Sequence, residues 1–110
     1  MTVSELIVTM NLTLISGAGG LDREAHGCYI GDLLSLAMSK VQQDYVWITI
    51  QTNINIVAVA SLADASCIII ADGFRLDENA ITKADIENIP IMSSDKSAYA
   101  LAAELSALKI

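Results

Sequence analysis

His26 and Cys28 are the first residues in the chain whose types suit chemistry. Alternate residues of an extended strand share a face, so a histidine base there would stand beside a thiol nucleophile. Packing alone produces the same alternation. His26 is the only histidine, and the two cysteines, Cys28 and Cys67, are far apart. That inventory lacks the spacing of metal ligands, so no metal is expected. Both cysteines sit in apolar stretches and read as reduced core residues. They imply a cytoplasmic compartment.

Gly17-Ala18-Gly19-Gly20 has the look of a phosphate-binding loop. A dinucleotide fingerprint would need glycine where Asp22 stands and a helix opening directly behind it. A nucleoside-triphosphate loop would need a Gly-Lys-Ser/Thr ending, which occurs nowhere in the chain. A turn between two strands accounts for the glycines. Asp22, Arg23 and Glu24 follow as a charged loop, read either as a locally bridged turn or as a polar group at a ligand cleft or dimer interface.

Three later segments carry the functional expectation. Thr52, Asn53 and Asn55 follow an apolar strand and open an apolar helix. Asp72 and Gly73 close the next strand, and Ser93, Ser94 and Asp95 close the one after. In a parallel sheet all three fall at carboxyl ends, beside helix N-termini, where such sheets bind ligands. Asp72 and Asp95 would repel an anion, which leaves open a neutral or amphoteric ligand, or none. Nothing among these residues forms a catalytic set, and no cofactor is expected. A phosphoryl-transfer role for Ser93, Ser94 or Asp95 is the remote alternative.

The elements that must position these residues can be read from periodicity. Thr2 to Glu5 is a capping box that opens a short helix ending near Asn11. Strands are expected at 12–15, 27–30, 45–51, 67–71 and 90–92. Asp32 is placed to cap a helix through Val41, Asn53 one through Ala65, and Ser94 or Asp95 the last one. A polar helix is expected over 78–88. Strand and helix alternate after Tyr45, which predicts right-handed crossovers and a mainly parallel central sheet flanked by helices, an α/β fold. The 110 residues make one domain, 1–110. Hydrophobic residues make up 54% and aromatic ones only 5%, so the core is aliphatic. A net charge of −7 argues against a nucleic-acid partner. No secretory leader is seen at Met1 to Glu5. The most apolar stretch, 54–70, is broken by Ser61, Asp64 and Ser66, so no membrane span is expected.

The segments Gly20 to Glu24, Tyr29 to Ser35, Asp44 to Gln51, Asn55 to Ala60, Gly73 to Asp77 and Ile89 to Ile91, with the helix from Ser97 to Leu105, resemble the DRTGG domain. The resemblance covers nearly the whole chain. Such domains occur beside paired CBS domains in regulated pyrophosphatases and are similar to the N-terminal domain of HPr kinase/phosphorylase. The resemblance implies an α/β fold, a homodimer and a regulatory role, and together with the polar strand ends it points to a nucleotide or phosphometabolite as ligand. The alternative is a pure interaction module without a small ligand, binding a protein partner, for which the 54% apolar content of so short a chain speaks. This chain departs from the family's signature letters. The Asp-Arg pair falls at Thr52-Asn53, and the Thr-Gly-Gly triplet at Ala71-Asp72-Gly73. The kinase's phosphate loop and its lysine have no counterpart here.

Overall fold

The computed structural model describes residues 1–110. Its elements are α1 (Val3–Thr9), β1 (Thr13–Ser16), a 3-10 turn (Ala18–Gly20), β2 (Cys28–Ile30), α2 (Leu34–Lys40), β3 (Val46–Thr49), α3 (Asn55–Ala63), β4 (Cys67–Ile70), α4 (Glu78–Glu87), β5 (Ile91–Ser93) and α5 (Ala98–Ala107). The five strands form one sheet in the order β1-β5-β4-β3-β2. β2 to β5 are parallel, and β1 closes the β5 edge antiparallel.

Alternation along the strands builds two cores. Trp47, Ile68, Ile70 and Ile91 face one side, and Val46, Ile48, Cys67, Ile69 and Met92 face the other. β3 and β4 are buried along their whole length, so both faces must be covered. Each step from β2 to β5 moves to the adjacent strand through one helix. The right-handed rule then places α2, α3 and α4 on one face. Ala37, Ile56, Val57, Ala80 and Ala84 accordingly share the core with Trp47. The other face is sealed by α1, through Val3 and Leu6, and by α5, through Leu101 and Leu105. With this layering, α3 is buried at Ile56, Val57, Val59 and Ala60, matching its nearly all-round apolar sequence.

The predicted strands and helices all occur; β2, β3 and β4 are shorter than expected, while β1 and β5 keep their length and start one residue later. The capping box forms: Glu5 N donates to Thr2 Oγ1 at 3.2 Å, and Thr2 N donates to Glu5 Oε1 at 2.9 Å. Two predicted caps are corrected. Asp32 does not cap α2, which begins behind Leu33 without a side-chain cap. Its Oδ1 accepts instead from Thr49 Oγ1 at 2.8 Å and Ile50 N at 2.9 Å, ties that take precedence because Thr49 is buried. α5 starts at neither Ser94 nor Asp95. Ser97 caps it, accepting from Ala100 N at 3.2 Å, while Ser94 Oγ closes a local turn onto Lys96 N.

The glycine run is a packing device. Gly17 has φ 80°, donates its N–H to Asp85 Oδ1 at 2.8 Å, and lies so close to the Ile89 carbonyl that a Cβ would collide with it.

Arg23 fastens the amino ends of two parallel strands. Its guanidinium donates to Asp44 Oδ1 at 2.9 Å, Asp64 Oδ1 at 2.8 Å and the Asp64 carbonyl at 3.0 Å. Asp44 and Asp64 both have positive φ, at 68° and 58°, in the turns before β3 and β4. One fork thus holds two left-handed turns. Replacing Arg23 with Ala removes all three bonds, and we expect a loss of about 1–2 kcal/mol in urea unfolding. Arg23→Lys should recover only part of it, because an ammonium cannot span both carboxylates. Unchanged stability in both variants would show the fork to be ornamental.

The two thiols lie on the same face of the sheet, separated by Val46 in register. Two strand spacings of about 4.8 Å separate them, beyond disulfide reach. Burial pushes Cys28 up to about 11 and Cys67 up to about 12. An unfolded thiol ionises near pH 8.5. Between that pH and the raised folded values, the unfolded chain has lost protons that the native state keeps. Stability from this source is therefore full below about pH 8.5 and falls as pH rises through 9 to 11. Unfolding midpoints at pH 7, 9 and 10 should show this fall, and it should be smaller in Cys67→Ala than in the parent chain. A midpoint independent of pH over this range would contradict it.

Candidate functional site

Four parallel strands place the ends of β3, β4 and β5 at one rim. Backbone hydrogen bonds join the segments that leave them. Gly73 N donates to the Ser94 carbonyl and Asp72 N to the Lys96 carbonyl, both at 2.9 Å. Asp77 N donates to the Thr52 carbonyl at 3.1 Å. The polar segments after the three strands thus form one continuous edge, as the parallel topology requires.

Within that edge one cleft opens, with a volume of about 390 Å³. Its place follows from the chain's path. After β4 the chain turns into α4 on one face, and after β5 it turns into α5 on the other. The two exits diverge and leave a crevice at the carboxyl ends, the position where open α/β sheets take ligands. Ile15, Ile70, Leu76 and Ile81 make its apolar wall. Gly73, Phe74, Arg75, Glu78, Ser93 and Asp95 make its polar mouth. The Phe74 side chain is 50% exposed although it is the only phenylalanine. Gly73 has φ 71°, and a Cβ on it would come within 2.9 Å of Asp95 Oδ1. Glycine here keeps the wall low and accepts the left-handed backbone.

Of the residues expected from sequence, Gly73 and Ser93 line this cleft. Ser94 and Asp72 lie beside it and contribute backbone bonds that hold its two lips together. Thr52 is one step removed, its hydroxyl 3.4 Å from Asp77 Oδ1 at the start of α4. Asn53 and Asn55 do not reach the cleft. Asn53 Oδ1 accepts from Asn55 N at 2.9 Å, and its side-chain amide donates to Gln51 Oε1 at 3.0 Å, which closes the entry to α3 locally. Asp32 secures the end of β3, and Arg23 lies at the opposite end of the strands, bound to Asp44 and Asp64. Asp22 is exposed near Arg23 and makes no side-chain hydrogen bond or ion pair.

Sequence reasoning missed Phe74, Arg75 and Glu78. A usable signal was present in the order of elements: the first helix to leave for the other face marks the crevice. It requires knowing that α5 crosses over, which periodicity alone does not reveal.

The cleft has polar side chains but no reactive pair. His26 is exposed and lies 3.9 Å from Glu24, at the amino end of β2. Cys28 is a thiol held neutral by its surroundings. Ser93 has no histidine or lysine among the residues that line the cleft with it. No three His, Cys, Asp or Glu side chains cluster to hold a metal ion.

Among curated proteins, none matches the chain. Its fold is similar to a solved structure of the CBS and DRTGG domains of the regulatory region of Clostridium perfringens pyrophosphatase, complexed with the activator diadenosine tetraphosphate. The TM-score is 0.77 at 10% identity, over 94% of this chain and 45% of that one. The chain therefore spans less than half of that structure's length. The model of the DRTGG domain matches residues 5–108. On that match, the chain belongs to the DRTGG domain family.

Proposed function

We propose that this chain is a non-catalytic regulatory module that binds a small molecule in the cleft between the ends of β4 and β5. The observation that carries the reading is the cleft itself: a crevice at the divergence of two strand exits, with an exposed aromatic ring and an unpaired cation at its mouth. Arg75 makes no hydrogen bond or ion pair within the chain, so its donors are free for a ligand. A pocket of this size, mostly apolar with a few converging polar groups, is what small-molecule sites look like. The pyrophosphatase's regulatory region has this fold beside CBS domains and takes a nucleotide activator, which supports a regulatory role here.

A homodimer is the natural way for such a module to transmit binding. The open edge at β2 supports it. The Gly27 carbonyl and the Gly31 N–H both face β3, so alternation turns the backbone groups of Cys28 and Ile30 outward. Ile30 and Leu33 are exposed beside that edge. Free cysteines fit a cytoplasmic setting. No helix is long and apolar enough to cross a membrane.

A thermal-shift panel of nucleosides, nucleotides and phosphometabolites tests the ligand reading. A true ligand at a hundred times its Kd should add about 2.7 kcal/mol, which raises Tm by ~10 °C or more. Phe74→Ala should fold normally, because the ring is half exposed, and should lose most of the shift. No shift with any compound, or a shift that Phe74→Ala leaves intact, would overturn the proposal.

A further inference from the structure

The charges around the cleft are specific enough to select a ligand class. The chain has six lysines and arginines. Arg23, Lys83 and Lys96 are each bound to carboxylates. Lys40 ends α2 and Lys109 lies just past α5, where cations complement the helix dipole. Arg75 alone is both unpaired and in a cavity. Glu78 and Asp95 line the same cleft, and their side chains have no hydrogen-bond partner. Asp95 Oδ1 lies close to Gly73, within 2.9 Å of where a Cβ would stand. Asp72 and Asp77 stand just outside.

A polyphosphate with three or more negative charges would meet one guanidinium against two lining carboxylates. One phosphate can sit against Arg75 alone, but each further charge meets the carboxylates with no second cation to offset it. Carboxylates accept hydrogen bonds and donate none, so Glu78 and Asp95 call for a ligand rich in hydroxyl or amino donors. A ribose diol bound by an acidic side chain is the familiar example in α/β sheets. Phe74 and the aliphatic lining offer apolar surface to a planar ring. We infer that the cleft selects nucleosides and nucleoside monophosphates, with the base against Phe74, sugar donors toward Asp95 and Glu78, and at most one phosphate at Arg75, and that it discriminates against nucleoside polyphosphates. This rests on the proposed ligand-binding role of the same cleft.

Calorimetry on the full chain with adenosine, AMP and ATP, and with the guanine, cytosine and uracil counterparts, tests it. For the base that binds, the monophosphate should bind at least as tightly as the nucleoside, and the triphosphate at least tenfold more weakly. Arg75→Ala should remove the monophosphate's advantage while leaving nucleoside affinity within about twofold. Asp95→Asn should narrow the gap between monophosphate and triphosphate. Both side chains are exposed, and circular dichroism verifies that the variants fold. Triphosphate binding as tight as monophosphate, still lost in Phe74→Ala, would sink the selectivity and leave the cleft as the binding site. No heat from any nucleoside or monophosphate would sink it too, and the broader role would then stand only on another compound whose stabilisation depends on Phe74.

Discussion

A parallel sheet whose inner strands are apolar on both sides has to be covered on both sides. β3 and β4 bury every residue they contain, so this requirement dominates the molecule. Three crossovers between neighbouring strands can cover only one face, because each turns with the same hand. The second face needs helices from the two ends of the chain, α1 and α5. α5 can get there only if the chain leaves β5 in the direction opposite to its departure from β4. The cleft is the geometrical consequence of that divergence. Its place follows from the need to hide isoleucine and valine from water.

The two ends of the strands are treated differently. At the amino ends, Arg23 gathers Asp44 and Asp64 into one closed set of charge-assisted bonds. Burial alone would lower its proton affinity, and its two aspartate partners more than offset that, leaving the guanidinium held above its ordinary value. At the carboxyl ends, Asp32 and Asn53 have their bonds satisfied locally, while Arg75, Glu78 and Asp95 have none. At this rim the groups that hold the strand ends are bonded, and Arg75, Glu78 and Asp95, which are not, line one cavity.

Much of this was legible in the residues. Short continuous apolar runs such as Val46 to Thr49 and Cys67 to Ile70, rich in β-branched residues, announced buried strands, and their alternation with helices announced the parallel order. The common rim followed from topology. Caps were less legible, because Asp32 and Ser94 look like helix caps by residue type, and only tertiary contact shows that a buried threonine or a local turn claims them instead. The cleft was half legible. Gly73 and Ser93 could be named because they end strands. Phe74 and Arg75 sit in an irregular loop with no periodicity to read, and nothing local says that α5 changes face. Arg23 was visible as a charge in a turn, but its partners Asp44 and Asp64 are remote in sequence, and pairing over such separations leaves no local trace.

The central claim is that the open polar groups at the β4 and β5 exits form the molecule's ligand site. The most direct measurement is amide chemical-shift mapping by NMR during titration with a nucleoside monophosphate. The account predicts that perturbations concentrate at Gly73 to Leu76 and Ser93 to Asp95, with Asn53, Asn55, Asp22 and Arg23 unmoved. Perturbations centred on the amino ends of the strands, or on the entry to α3, would contradict it.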